Sequence, residues 1–256
     1  MDAVLLKATK LSKVFGGLRA VSNFEVAIAP GELAGLIGPN GAGKTTVFNL
    51  LTGVYEPTEG EIAFDGKSVI GLRPYQITQR GIARTFQNIR LFNDLSVLDN
   101  VKIAYHFHVK YGILESMFRF GRYHKEEAEV EEKAVHFLEI FQLADKKDEI
   151  AKNLPYGEQR RLEIARALAA QPKLLLLDEP AAGMNPQETQ QLMEMIRWIR
   201  KEFNLTILLI EHDMSLVMGV CERIYVLDYG SIIAHGTPAE IKNNPRVIEA
   251  YLGEEV

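Results

Sequence analysis

Residues 38–45 read Gly-Pro-Asn-Gly-Ala-Gly-Lys-Thr, and this stretch is the most informative one in the 256-residue chain. It matches the pattern G-x-x-x-x-G-K-[ST]. It also lies between a strand-like run, Leu33 to Ile37, and a segment with helical spacing, Lys44 to Leu51. Glycines allow backbone N–H groups to turn inward around phosphate oxygens, and the start of a helix adds partial positive charge. The stretch therefore predicts a phosphate-binding loop that holds a nucleoside triphosphate.

Two side chains of this loop have predicted roles of their own. Lys44 is expected to bridge the β- and γ-phosphates, and the Thr45 hydroxyl is expected to ligate Mg²⁺. A glycine-rich turn without a ligand is the alternative, and the strand–loop–helix context argues against it. The candidate nucleotide-binding residues of this stretch are Gly38, Pro39, Asn40, Gly41, Ala42, Gly43, Lys44, Thr45 and Thr46.

Polar side chains follow two further strand-like runs. Leu174 to Leu177 is followed by Asp178 and Glu179, and Thr206 to Ile210 is followed by Glu211-His212. Ligands of open parallel sheets bind at the carboxyl ends of the strands, so these side chains are expected at one edge. Asp178 is predicted to hold the Mg²⁺ shell through water and Glu179 to polarise the attacking water. His212 is predicted to contact the γ-phosphate. Away from a phosphate loop, a helix cap and an ordinary histidine would be the usual interpretations.

The composition excludes several classes of protein. Apolar residues make up 47% and charged residues 25%, which is typical of globular proteins and excludes general disorder or coiled coil. The formal net charge of −5 argues against a nucleic-acid-binding surface. The single cysteine, Cys221, excludes an internal disulfide framework and fits a reducing compartment. The lysine-interrupted start is unlike a signal peptide, and no apolar run approaches the ~20 residues that cross a bilayer.

The order of the patterns indicates an α/β protein whose core is interrupted by a helical segment. Residues 1–94 and 171–256 carry the strand patterns, including the two buried-type runs and the helix between them. Residues from about 95 to 170 are helical in composition, and Lys125 to Leu143 has an amphipathic pattern. We therefore predict one domain over residues 1–256, with a nucleotide-binding core and a helical subdomain.

These motifs together resemble the ATP-binding cassette (ABC) family, the motor subunits of ABC transporters, from Phe15 to the final helix. The resemblance implies a P-loop NTPase core of ABC type with an antiparallel β subdomain. It also implies a helical subdomain with a signature that binds the ATP of a partner subunit. The matching residues here are Leu154, Pro155, Tyr156, Gly157, Glu158 and Gln159, followed by RRLEIARAL. Pro155 and Tyr156 replace the usual serine and glycine, and Glu158 replaces a common glutamine. Gly157 and the helix N–H groups are therefore expected to make the phosphate contact.

The resemblance carries over to three further places. Phe15 is similar to the aromatic residue that stacks on adenine, with Val21 beside it, although a core phenylalanine is the alternative. Gln87 is similar to the glutamine that reaches Mg²⁺ and couples to the membrane subunits, and an exposed loop amide is its alternative. Residues 182–185 resemble the loop that links the two ATP sites of a dimer, with Asn185 in place of the usual aspartate.

Within the family, the chain is most similar to the ATPases of branched-chain amino acid importers. This resemblance depends on residues 154–169, on the helical insertion and on the ending VIEAYLGEE at residues 247–255. It implies ATP and Mg²⁺ as cofactors and a peripheral place at the cytoplasmic face of the inner (plasma) membrane. The implied partners are a second ABC ATPase subunit, identical or related, two integral membrane subunits and a substrate-binding protein, with no nucleic acid. The aromatic segment 105–124 could dock to membrane subunits or form a small satellite core.

Three other functions remain as alternatives at this point. The first is the ATPase of another ABC system, such as lipopolysaccharide export. The second is a non-transport ABC protein of DNA repair or translation, although the chain lacks the long coiled-coil, zinc or tandem-cassette additions usual there. The third is a small-molecule kinase with the same phosphate loop, and the signature segment argues against it.

Overall fold

The computed structural model describes residues 3–252 and divides the chain into two compact units. The first, called the core unit, contains the residues up to Arg84 and those from Lys173 onward. The second, called the helical unit, is Thr85–Pro172. The sequence pattern placed these divisions at 94/95 and 170/171. The first division differs because residues 85–94 are hydrogen-bonded to the helices that follow them.

The strands and helices follow one another in the order that the sequence pattern indicates. The strands are β1 (Leu6–Phe15), β2 (Leu18–Ile28), β3 (Leu33–Ile37), β4 (Glu59–Phe64), β5 (Lys67–Ser68), β6 (Ile82–Arg84), β7 (Leu174–Asp178), β8 (Thr206–Ile210), β9 (Arg223–Asp228) and β10 (Ser231–Gly236). The α-helices are α1 (Lys44–Leu51), α2 (Pro74–Gln79), α3 (Val97–Tyr105), α4 (Ile113–Phe118), α5 (Tyr123–Ile140), α6 (Tyr156–Ala169), α7 (Pro186–Glu202), α8 (Met214–Val220), α9 (Pro238–Lys242) and α10 (Pro245–Leu252).

The core unit contains an antiparallel sheet with the strand order β2-β1-β4-β5. β1 pairs with β2 from Leu6↔Ile28 to Phe15↔Leu18, and it pairs with β4 on its other side. The turn at Asp65-Gly66 joins β4 to β5. This sheet is the antiparallel β subdomain expected for the family.

A second sheet of the core unit has the order β10-β9-β3-β8-β7-β6. β9, β3, β8, β7 and β6 pair in parallel, and only the pairing of β10 with β9 is antiparallel. β3, β7 and β8 are buried at every residue, which explains why they read as continuous apolar runs. β8 lies between β3 and β7, so the segments that follow these three strands leave the sheet at the same edge.

One apolar cluster holds the core unit together. Its largest fully buried side chains include Phe24, Phe48 and Phe64, which come from β2, α1 and β4. Leu36 and Leu208 extend the cluster to the parallel sheet. Burial of one such aromatic or aliphatic side chain contributes about 1.5–3 kcal/mol. The helix that begins at the phosphate loop is therefore anchored by the same core that joins the two sheets.

In the helical unit, α3 packs against α5 and α6. The predicted amphipathic face is confirmed, because Ala134, Phe137, Leu138 and Phe141 are all buried. Asn100 of α3 is fully buried, and its carboxamide both accepts from the Phe92 N–H (2.9 Å) and donates to the Phe92 carbonyl (3.1 Å). Bonds of this kind attach residues 85–94 to the helices.

The aromatic segment 105–124 does not form the satellite core considered above. The side chains of Phe107, Phe118 and Phe120 are exposed, and Phe118 retains 66% of its surface. Tyr111 and Tyr123 contact each other edge to face, with their ring centroids 5.3 Å apart. Over residues 3–252, no helix has both the length and the apolarity needed to cross a membrane.

Candidate nucleotide-binding site

The predicted phosphate loop connects β3 to α1 in the core unit. Gly38 has φ +152°, and a β-carbon there would overlap the carbonyl oxygen of Leu227. Gly41 has φ +76°, and a β-carbon there would meet no heavy atom within 4 Å in the described chain. Close packing thus excludes a side chain at Gly38, whereas Gly41 is required for its backbone angle. Both glycines hold the chain in the compact turn that brings N–H groups together.

The first turn of α1 forms an anion-binding end. Gly43 precedes the helix with φ +105° and has no side chain to cap the first N–H groups. Such N–H groups lack partners within the helix and favour a negative charge. Lys44 is 7% exposed, and its Nζ donates to the carbonyls of Gly38 (2.6 Å) and Pro39 (2.8 Å). The ammonium is therefore held against the loop, and the exposed Thr45 follows it.

Asp178 ends β7 in a buried position, 4% exposed. Its Oδ2 lies 2.6 Å from Nη2 of Arg84, which ends the neighbouring strand β6. Nη1 of Arg84 also donates to Oδ1 of Asn49 in α1 (2.8 Å). Arg84 thus joins the end of β7 to the helix of the phosphate loop. Sequence reasoning missed Arg84, although a charged residue in a short strand beside a buried strand was the available signal.

Glu179 and His212 come together at the carboxyl ends of β7 and β8. Oε2 of Glu179 lies 3.2 Å from Nε2 of His212, and their side chains are 11% and 52% exposed. Burial raises the pKa of the Glu179 carboxyl, and the carboxylates of Asp178 and Glu211 add to this effect. His212 and Lys44 act in the opposite direction on the pKa. A carboxylate whose pKa is raised toward neutrality is a stronger general base.

The two residues expected near adenine differ in their accessibility. Phe15 is 40% exposed, and its ring contacts that of Tyr55 edge to face at 5.1 Å. Lys13 Nζ lies 5.0 Å from the centre of the Phe15 ring. Val21 is fully buried in the apolar cluster, so its side chain does not present a surface to a ligand. Tyr55 is therefore a better companion of Phe15 than Val21, and no motif pointed to it.

In the helical unit, α6 begins at Tyr156 with Pro155 in the N-cap position. The side chains of Glu158 and Gln159 bond to other residues of the helical unit. Glu158 pairs with Lys146 (2.7 Å), and Gln159 donates to the Leu154 carbonyl (2.8 Å). Leu154 is buried, 3% exposed. A β-carbon at Gly157 would meet no heavy atom within 4 Å of the described chain, so the start of α6 is open.

Gln87 is exposed, and its backbone is held by α6. Arg160 donates to the carbonyls of Phe86 (2.7 Å) and Gln87 (2.8 Å). Glu163 accepts from the N–H groups of Arg90 (3.1 Å) and Phe86 (3.4 Å). Arg160 and Glu163 also pair with each other at 2.8 Å, and both side chains are fully buried. The structure thus attaches the Gln87 segment to the signature helix, which the sequence did not indicate.

Asn185 has a local structural use. Its Oδ1 accepts from the N–H groups of Gln187 (2.9 Å) and Glu188 (3.0 Å), which caps α7. Asparagine and aspartate cap helices about equally well, so the replacement of aspartate keeps this function.

The described residues offer only a partial set of ligands for a metal ion. No group of three or more His, Cys, Asp or Glu side chains in the described chain could hold one. Asp178 and Thr45 supply one carboxylate and one hydroxyl. These oxygen donors fit Mg²⁺, which keeps several waters and is usually completed by the phosphates of the nucleotide.

Two sheets, a phosphate loop after β3, paired acids at the end of β7 and a helix that starts with a signature segment define an ATP-binding cassette. The family model described as ABC transporter matches residues 21–182. The model described as Branched-chain amino acid ATP-binding cassette transporter matches residues 231–256. The chain belongs to the ABC transporter family, whose ATP-binding cassettes hydrolyse ATP to power transport, as predicted.

Individual relatives indicate which type of ABC transporter protein this chain resembles. The chain is 48% identical over 254 residues to the high-affinity branched-chain amino acid transport ATP-binding protein LivG of Escherichia coli K12, covering 99% of this chain and 100% of that protein. The lipopolysaccharide export system ATP-binding protein LptB of the same organism is 36% identical, covering 98% of each chain. The predicted resemblance to branched-chain amino acid importer ATPases is confirmed, and the lipopolysaccharide system is the more distant relative.

Solved structures agree with this assignment. An ATP-binding cassette of an ABC transporter in its ADP conformation aligns with a TM-score of 0.84 and 31% identity, covering 98% of this chain and 100% of that one. A cassette solved as a dimer in a post-hydrolysis state, bound to ADP and Pi, aligns with a TM-score of 0.76 and 25% identity, covering 91% and 99%. The predicted fold class is confirmed. The ending at 247–255 lies partly outside the described residues, since the structure describes the chain only to Leu252.

Proposed function

We propose that this chain is the ATP-binding and hydrolysing subunit of a branched-chain amino acid importer, and that residues 1–256 form one ABC ATPase domain. The observation that carries this proposal is the 48% identity to LivG over the full length of both chains. The match of residues 231–256 to the branched-chain amino acid model supports it independently, because that segment lies outside the general ABC match.

Nucleotide binding is assigned to the phosphate loop. Residues 38–46 surround the phosphates, with backbone N–H groups at every position except Pro39, and Lys44 moves from its two loop carbonyls to the β- and γ-phosphates. Phe15 stacks on the adenine ring. Thr45 and Asp178 of the core unit would hold Mg²⁺, which would neutralise charge on the phosphates. The family resemblance assigns Gln87 to the same ion. Asp178 is already oriented for this task by Arg84.

Hydrolysis is assigned to the pair at the ends of β7 and β8. Glu179 accepts a proton from the attacking water, and the raised pKa of its carboxyl suits that task. His212 lies 3.2 Å from Glu179 and is half exposed, so it can contact the γ-phosphate while holding the water geometry.

The chain is proposed to act as a dimer with a second ABC subunit on the cytoplasmic face of the membrane. The open start of α6 at Gly157 fits a phosphate of the nucleotide held by the partner subunit. The dimeric post-hydrolysis cassette supports this arrangement. Two integral membrane subunits and a substrate-binding protein complete the complex, with the Gln87 segment as the coupling element. The γ-phosphate that both subunits contact favours the closed dimer over the open one. Closure of the dimer then moves the attached membrane subunits from one access state to the other.

The hydrolysis assignment is tested with Glu179→Gln. The amide cannot accept the proton, so ATP turnover should fall by about 10²–10⁴-fold while ATP affinity is kept. The variant should also accumulate an ATP-bound dimer in size-exclusion chromatography. Turnover at the wild-type rate would contradict the assignment of the base.

The transport assignment is tested by affinity capture of the subunit from membranes, followed by mass spectrometry. Two polytopic subunits and a second ATP-binding chain of the branched-chain amino acid system are expected. Recovery of the membrane subunits of an exporter would keep the ATPase chemistry and overturn the cargo. Recovery of no membrane subunit would overturn the transport proposal.

A further inference from the structure

Glu211 is a buried carboxylate between the two candidate catalytic loops, and its side chain is bonded to both of them. It is the first residue after β8 and is 2% exposed. Its Oε1 accepts from the N–H of Ala181 (2.7 Å), in the loop after β7. Its Oε2 accepts from the N–H groups of His212 (2.9 Å) and Asp213 (3.2 Å). One side chain therefore satisfies three backbone donors from two different loops.

These bonds determine how the candidate catalytic side chains face each other. Ala181 follows Glu179 by two residues, and His212 is the next residue after Glu211. Glu179 has φ +47°, a conformation that costs a non-glycine residue about 1–2 kcal/mol. Its N–H is bonded to the Ile210 carbonyl (2.9 Å). Hydrogen bonds on both sides hold this strained turn in place: the Ile210 carbonyl accepts from the Glu179 N–H, and Glu211 accepts from the Ala181 N–H.

In the described part of the chain, the buried Glu211 carboxylate differs from three other buried carboxylates in having no cationic partner. No cationic side chain pairs with it among the described residues, whereas Asp178, Glu163 and Glu32 each have an arginine partner. Burial of a carboxylate without a cationic partner is costly, and a neutral amide or hydroxyl could accept from one loop at lower cost, but only a carboxylate offers an acceptor oxygen to each of the two loops. A second carboxylate so close to Glu179 also raises the pKa of that residue.

We propose that Glu211 is a positioning residue for ATP hydrolysis, whose carboxylate ties the loop of Glu179 to the loop of His212 and keeps the two side chains on one water molecule. This inference rests on the proposed ATPase function. Glu211 is 2% exposed, and both of its oxygens accept from backbone N–H groups, so its removal should affect turnover and leave ATP binding nearly unchanged.

The test is Glu211→Gln in the full-length chain. An amide can accept from one loop, but its NH₂ group then faces the donors of the other, so the loops separate. We expect kcat for ATP hydrolysis to fall by about 10- to 100-fold, as for a small misplacement of reacting groups. The KM for ATP should change by less than about threefold, because the contacts that bind ATP equally in the ground state and the transition state are unaffected. Glu211→Asp keeps the charge but is one methylene too short for both loops, and kcat should fall for it as well.

The matched control is Glu32→Gln. Glu32 is a buried carboxylate of the same unit, 7% exposed, and it accepts from the Ala29 N–H (2.8 Å) before β3, at the opposite edge of the sheet. Its substitution should leave kcat and KM unchanged even where it lowers the melting temperature as much as Glu211→Gln. In a Glu179→Gln background, Glu211→Gln should lower kcat little further, because it acts through Glu179.

Three results would overturn the inference. These are a raised KM with unchanged kcat in Glu211→Gln, an equal loss of kcat in the Glu32→Gln control, and additive losses in the double variant. Absence of ATP hydrolysis by the wild-type chain is a separate result, which would overturn the proposed function first and this inference with it.

Discussion

Removal of Glu163 should release the segment that carries Gln87 from the signature helix. In Glu163→Ala, Arg160 keeps its charge in a fully buried position but loses its partner at 2.8 Å. The N–H groups of Arg90 and Phe86 lose their acceptor at the same time. Burial raises the pKa of the Glu163 carboxyl even though the Arg160 charge opposes the shift. The Glu163 carboxyl is therefore strongly desolvated. Leaving the buried Arg160 guanidinium without this partner should lower the free energy of unfolding.

The size of the effect follows from these contacts. Loss of one partner of a buried ion pair costs about 3–5 kcal/mol. Arg160 retains hydrogen bonds to the Phe86 and Gln87 carbonyls, so the lower end, about 3 kcal/mol, is expected. With a urea m-value of about 2 kcal/mol/M, the urea midpoint of the chain should fall by about 1.5 M.

The assay is urea unfolding, with hydrogen exchange measured over residues 85–91 to identify the region that opens. Glu158→Ala is the control, because Glu158 lies on the same helix and pairs with Lys146 in a partly exposed position. That substitution should cost about 0–1 kcal/mol. A midpoint shift for Glu163→Ala no larger than that of the control, with protection of residues 85–91 unchanged, would refute the reasoning.

Three further results are expected. Lys44→Ala should weaken ATP binding by about 10- to 100-fold, because a charge-assisted hydrogen bond contributes about 1.5–3 kcal/mol; unchanged affinity in a fluorescent-nucleotide titration would contradict the phosphate-loop assignment. Arg84→Ala should lower the free energy of unfolding by about 3–5 kcal/mol, since Asp178 would remain buried without its partner, and an unchanged urea midpoint would argue against it. Burial raises the pKa of the Cys221 thiol to about 12, so native protein should react with a thiol reagent only after denaturant is added; rapid native labelling would show the thiol to be accessible.

The nucleotide-binding elements could be predicted from the sequence because their signals are local. A phosphate loop needs glycines, a lysine and a helix start within eight consecutive positions, and residues 38–45 contain all of them. The acids at the end of β7 and the histidine after β8 follow buried apolar runs, which identify parallel strands without further information. Parallel strands end at one edge, so the pattern also placed Glu179 near His212.

Other features depend on contacts between positions far apart in the chain, and only the tertiary structure decided them. Arg84 meets Asp178 across 94 positions, and Arg160 meets the Phe86 carbonyl across 74. The Gln87 segment belongs to the helical unit because buried side chains of α6 satisfy its backbone groups. The bond from Ala181 to Glu211 likewise spans 30 positions. Spacing along a sequence reports which groups share a strand end or a helix face, whereas the partner of a buried charge is selected by packing in three dimensions.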